Sequence, residues 1–287
     1  MQNQPESLRI ETADGWLLGA SLYRPEQARI GVLISAGTGF PRRFYRHLAE
    51  YLANRGAMVL TYDYRGIGDS CNHSLVNSAI DYPDWGRWDM PAALDALEQA
   101  APGLALTHVA HSVGGHFLGL MPNQHKLSRH AFISVGTGTV WKHGLKSMPL
   151  ELAFWWVLGP FCLRRYGYIK PVGGWRGEAL PPKVFTTWRR WCHQSDYFES
   201  ELKTSLSPQH YNAVTAPIRS WVLSDDPIAT PRTAAALLGC YPNAAHKIIH
   251  RNPRDLGVEY MGHDGAFKAG RGRLWSECWD WLATGAN

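Results

Sequence analysis

The sequence predicts an α/β fold: a mostly parallel central sheet with helices on both faces. Two observations carry this. Short, uniformly apolar runs alternate with helical stretches over most of the chain, and runs of that kind suit strands covered on both sides. A third observation divides it. Between Thr139 and Val214 the alternation stops, and Trp, Phe and Tyr crowd together with Pro and Gly. The break predicts an inserted, mainly helical, aromatic-rich cap or lid at 139–213, leaving 1–138 and 214–287 as the core.

In chain order, the runs 8–12 and 16–22 flank Asp14-Gly15, a dipeptide suited to the positive φ angles of a tight hairpin, so the chain opens with an antiparallel pair. Alternation then predicts strand 30–35, helix 44–54, strand 57–62, helix 90–100, strand 104–110, helix 113–121 and strand 131–135. After the break come strand 217–223, helix 231–238, strand 246–250 and a closing helix over 274–283.

With 287 residues, 45% of them hydrophobic, the chain can bury a large core, which excludes disordered and fibrous classes. Cys71, Cys162, Cys192, Cys240 and Cys278 are odd in number and scattered, a pattern of reduced thiols and not of a disulfide framework or zinc site. The opening residues 1–6 lack a basic and an apolar signal region, so cytoplasmic residence is expected. A formal charge of +5 is modest, and the doublets Arg42-Arg43, Arg164-Arg165 and Arg189-Arg190 lie far apart in sequence. A solvated surface is favoured over a nucleic-acid groove, with convergence on an acidic substrate the minority reading. The most apolar window, 148–163, contains Glu151, Gly159 and Pro160 and falls short of the roughly 20 residues a bilayer helix needs. A buried helix is its commoner fate; an exposed apolar lid meeting lipid or an apolar substrate is the alternative.

The chemistry concentrates in Val109-Ala110-His111-Ser112-Val113-Gly114-Gly115, which sets a serine where an apolar strand meets a helix start. Such a turn holds a nucleophile in a strained conformation, and small residues two before and two after it, here Ala110 and Gly114, avoid clashes. The N–H of Val113 is placed to face developing negative charge. The plain alternative is a serine capping a helix. Two partners weigh against it. His263 lies in a Gly-flanked loop between the last strand and the last helix, with His250 as the fallback base. Asp225 and Asp226 end the strand that resumes the sheet, and either carboxylate can orient an imidazole. Serine, acid and histidine thus fall one per strand end.

With these residues in view, the chain resembles the α/β-hydrolase superfamily, and within it a bacterial group of predicted serine hydrolases, over nearly everything but the cap. Chain order Ser112, Asp226, His263 is the order of that superfamily. Asp63-Tyr64-Arg65-Gly66-Ile67-Gly68-Asp69-Ser70 is similar to its D-x-R-G-x-G-x-S loop, and Asp225-Asp226-Pro227-Ile228 to its acid loop, in which the aspartate before proline is catalytic. The resemblance therefore favours Asp226. It also implies a second oxyanion amide from Ser35-Ala36-Gly37-Thr38-Gly39-Phe40, with Thr38 as donor and Gly39 or Phe40 as alternatives. Ala36 stands where the family has histidine, and Ala110 where the elbow has its first glycine.

The expectation is a serine hydrolase, carboxylesterase- or thioesterase-like, acting through an acyl-enzyme on Ser112, Asp226 and His263. An acyltransferase on the same triad and a non-catalytic small-molecule-binding protein are the alternatives. Trp155, Trp156, Trp188 and Trp191 are candidate pocket residues for an apolar acyl or aromatic group, though for any one of them holding the cap together is the commoner role. Arg189, Arg190 and His193 are candidates for a substrate carboxylate. No cofactor, metal, nucleic acid or stable membrane insertion is expected, and a homodimer is compatible with the sequence.

Overall fold

The computed structural model describes residues 4–143, 148–172 and 175–284. Residues 1–3 of the opening, and 144–147 and 173–174 of the expected cap, lie outside that set. Eight strands form one sheet in the order β1-β2-β4-β3-β5-β6-β7-β8. They are β1 (Glu6–Glu11), β2 (Leu17–Tyr23), β3 (Ile30–Ser35), β4 (Ala57–Tyr62), β5 (Ala105–His111), β6 (Leu127–Ile133), β7 (Ile218–Leu223) and β8 (His246–Arg251). β1 and β2 are antiparallel, as the Asp14-Gly15 turn requires, and every pairing from β4 through β8 is parallel.

The strand order decides where a site can form. From β3 the chain runs through α1 (Arg46–Ala53) to β4 on one side, then through α2 (Met90–Ala100) back across to β5 on the other. Parallel crossovers are right-handed, so reversing direction puts α1 and α2 on opposite faces. α7 (Pro231–Leu238) joins β7 to β8, and the closing α8 (Gly272–Thr284) packs against α1. The reversal opens a crevice at the carboxyl ends of β3 and β5, the position where open α/β sheets place ligands. β3, β4 and β7 are buried along their whole length, which is why they read as continuous apolar runs.

Two elements differ from the sequence expectation by more than one or two residues at an end. β6 begins at Leu127, earlier than the expected 131, because its first residues alternate, with Leu127 buried and Ser128 exposed; it ends at Ile133, since Ser134 takes a positive φ of 54°. The helix after Ser112 is short: α3 (Val113–His116) tightens into a 3₁₀ turn over Phe117–Leu120. Between β6 and β7 the described residues form α4 (Met148–Ala153), a widened turn Phe154–Leu158, α5 (Gly159–Tyr166) and α6 (Pro182–Cys192), with one isolated bridge between Ile169 and Leu180. Among the described residues no helix is long and apolar enough to cross a membrane.

Candidate active site

β5 delivers Ser112 into the crevice at φ 48°, ψ −115°. A side chain in that region costs of order 1–3 kcal/mol, so the surrounding structure must hold it there. Gly114 is part of what holds it. A Cβ on Gly114 would sit 2.6 Å from the Ser35 carbonyl oxygen, so only glycine lets the turn close against β3. Ala110, fully buried, pairs with Ser35 in the β3–β5 register. The first glycine of the elbow pattern is thus replaced by the next smallest residue.

Three strand ends then converge. His263, in the loop between β8 and α8, sets Nε2 3.1 Å from Ser112 Oγ. Its Nδ1 lies 2.9 Å from one carboxylate oxygen of Asp226 and 3.1 Å from the other. Asp226, which follows β7, is buried, and its Oδ1 accepts the N–H groups of Ile228 at 2.9 Å and Ala229 at 3.0 Å. Burial works against its charge, but the facing imidazole and these donors prevail and hold the carboxyl down at about 2. Burial likewise lowers the His263 pKa, yet the charge and hydrogen bond of Asp226 outweigh it and raise the imidazole above its usual value. Asp225 bonds elsewhere, through an Oδ2 that accepts the Met261 N–H at 2.8 Å and so fastens the histidine loop to the acid loop. His250 is exposed on β8, and among the described residues no hydrogen bond joins its side chain to these groups.

One hydrogen-bonded pair beside these groups escapes the sequence reading. His111, directly before Ser112, is fully buried; its Nε2 lies 3.0 Å from the His263 carbonyl oxygen and its Nδ1 2.7 Å from the Tyr45 hydroxyl. A carbonyl only accepts, so Nε2 carries the proton and Nδ1 accepts from Tyr45. The Tyr45 oxygen in turn accepts the Gly37 N–H at 2.7 Å. Burial pushes the His111 pKa down to about 3, which keeps the ring neutral and this pattern intact. A single chain of hydrogen bonds therefore joins the β3 loop, the elbow and the histidine loop. The available sequence signal was slight: a histidine closing a strand that also carries Thr107 and His108, with tyrosine in the helical stretch that follows β3.

Val113 and Thr38 flank the crevice, and among the described residues neither backbone N–H has an acceptor. The Thr38 hydroxyl hydrogen-bonds Tyr82, fixing that loop. Phe40 drops out as an amide donor because its N–H is spent on the Gly37 carbonyl at 3.1 Å.

The four candidate pocket tryptophans separate. Trp191 is fully buried against Tyr82 and Phe117 of the core as well as Tyr197 and Phe198, so it ties the 139–213 segment to the core, whereas Trp155 is buried against Phe185 and Trp188 and holds the segment together from within. Trp188 is half-buried between Trp155 and Trp175. Trp156 turns outward to solvent. The basic doublets do not converge: Arg42 pairs with Asp63 and Asp69, Arg43 with Glu178, and Arg190 with Glu201. His193 spends both ring nitrogens, on the Arg189 carbonyl and the Trp156 indole. In the 63–70 loop, buried Arg65 clamps Asp89 and Asp14, an architectural role.

A sequence profile of the family described as serine aminopeptidase, S33, matches residues 26–186. No curated protein matches the chain. Solved structures give the fold. A soluble variant of monoglyceride lipase from Saccharomyces cerevisiae, in complex with a substrate analog, superposes with a TM-score of 0.65 at 15% identity, covering 99% of this chain and 95% of its own. An esterase from Exiguobacterium antarcticum gives 0.63 at 14% identity, over 97% and 100% of the two chains. The Pyrococcus furiosus esterase Pf2001 gives 0.61 at 13%, over 97% and 90%.

Proposed function

The chain belongs to the serine aminopeptidase S33 family of α/β-hydrolases, and from that premise we propose that it hydrolyses a carboxylic ester or thioester through an acyl-enzyme on Ser112. One observation carries the reading: the hydrogen-bonded line from Ser112 Oγ through His263 to buried Asp226, at 3.1 and 2.9 Å, starting from a serine held at positive φ. Ser112 attacks the carbonyl carbon while its proton passes to His263 Nε2, and Asp226 stabilises the imidazolium. The tetrahedral oxyanion rests on the amides of Val113 and Thr38. Collapse expels the alcohol or thiol, which takes the proton from His263, and water repeats the sequence to free the acid. Residues 139–213 act as a cap over this chemistry. Five unpaired cysteines favour a reducing compartment, as cytoplasmic residence requires.

A second reading has its own observation. Glu151 accepts from His143 through Oε2 at 2.7 Å, whereas its Oε1 is buried without a hydrogen-bond partner among the described residues, and its charge is felt at His263. A carboxylate with spare acceptor capacity suits a protonated substrate amine, and with it the aminopeptidase in the family's description. Parallel assays separate the two. Turnover of p-nitrophenyl esters or acyl thioesters, graded by chain length, with aminoacyl anilides untouched supports the esterase reading. Preference for the anilides, lost in Glu151→Gln, replaces it with the peptidase. Acyl transfer to an added alcohol or thiol with no release to water would indicate an acyltransferase. No turnover of any kind would leave a binding protein.

A further inference from the structure

The helix that runs from α4 through α5 has an inner and an outer face. Trp155, Gly159 and Cys162 are buried inward. Outward, Leu150 and Val157 are each 64% exposed, Trp156 57% and Phe161 55%, and Trp141 from the preceding turn adds another ring at 56%. The exposed rings are contiguous: Trp141 and Trp156 both edge onto His193, at 6.4 and 5.1 Å. Phe161 continues the stripe to Tyr166 at 6.4 Å. Contiguous exposed apolar surface marks an interaction site more often than scattered single residues do.

The charge beside the stripe identifies the partner. Arg164, Arg165 and Lys170 are exposed at its carboxyl end, and the charged groups of Arg165 and Lys170 lie 5.2 and 5.0 Å from the Tyr166 ring centre. From 148 to 172 the sequence holds one carboxylate, Glu151, and that one is tied to His143. An apolar face with tryptophans, edged by cations and carrying no exposed acid, has the make-up of a helix lying in a membrane interface. We propose that this face docks the protein peripherally on an anionic phospholipid surface. The helix remains in the interface plane, so no span is required. On α4 the exposed Leu150 adjoins Glu151, whose charge is felt at His263, so docking sets the neighbourhood of the site against the lipid.

The full chain sedimented with vesicles tests this. Vesicles of phosphatidylcholine with roughly a third phosphatidylserine should carry the protein down at low salt, pure phosphatidylcholine vesicles should not, and added salt should release it. Arg164→Gln with Arg165→Gln should weaken binding roughly 30-fold. Val157→Ser with Phe161→Ser should weaken it at least about tenfold. Unchanged circular dichroism and melting would show that the variants stay folded. Ser112→Ala should bind as the wild type does, which separates docking from the proposed chemistry. Absence of binding to either vesicle, equal binding to both, or indifference to the variants overturns the proposal. A dimer in light scattering that Val157→Asp splits, with no vesicle binding, assigns the face to a second copy instead.

Discussion

The crevice at the β3 and β5 ends and the helical segment between β6 and β7 are built on opposite terms. In the crevice directional bonds do the holding: Asp226 takes two amides and an imidazole, and His111 and Tyr45 tie three loops together. In the segment, aromatic rings do the holding, with Trp155, Phe185, Trp188 and Trp191 packed against neighbouring rings, and its outer surface is apolar and open. Directional bonds fix atoms to fractions of an ångström, whereas ring packing tolerates substitution and re-aiming. Under the proposed function, reaction type belongs to the crevice and substrate choice to the segment, so changes in the two regions should fail differently.

The largest difference is expected at the crevice. Ser112→Ala should cut kcat by about 10⁶ with the melting curve unchanged; substantial residual turnover would move the chemistry elsewhere. Asp226→Asn should cost about 10⁴. Asp225→Asn, which loosens only the Met261 amide, should cost much less. The reverse ranking in a steady-state assay would transfer the orienting role to Asp225.

The pH profile sharpens the same half. Because His263 must be neutral to accept the Ser112 proton, and its pKa is raised, kcat/KM should fall as pH drops through a point above the usual histidine value of 6.5. Asp226 stays ionised down to about 2 and adds no second limb near neutrality. The residual activity of Asp226→Asn should show the limb displaced to lower pH, since the partner that raises the histidine is gone. A limb that does not move would mean that Asp226 does not set the His263 pKa.

Smaller effects follow with distance from the chain of bonds. Tyr45→Phe removes the link between Gly37 and His111 and should lower kcat by about tenfold while KM holds. In the segment, Trp188→Ala should alter kcat/KM for long-chain esters relative to acetates by no more than roughly tenfold and leave reaction at Ser112 intact. A loss there as large as that of Ser112→Ala would erase the contrast between the two regions.

Legibility in the sequence follows the same division. Strands 30–35 and 57–62 and helices 90–100 and 231–238 coincide with the observed bounds, because burial on both faces or a clear helical start leaves one choice. Ser112, His263 and the acid loop were readable because a strained turn, a Gly-flanked loop and strand-end aspartates each leave a local mark. His111 and Tyr45 left only a weak one, since their meaning lies in contacts across 66 positions of chain. β6 was misplaced because Ser128, Arg129 and His130 hide the start of a strand whose later half is apolar. Within 139–213 ring packing imposes no period, so Trp156, facing out, and Trp155, facing in, look alike in sequence.

Activation of Ser112 by His263 is tested most directly with a fluorophosphonate, followed by peptide mapping. The wild type should carry the label on Ser112 within minutes, and His263→Ala should react slowly or not at all. An unlabelled Ser112, a label on another serine, or equal labelling in His263→Ala would contradict the account.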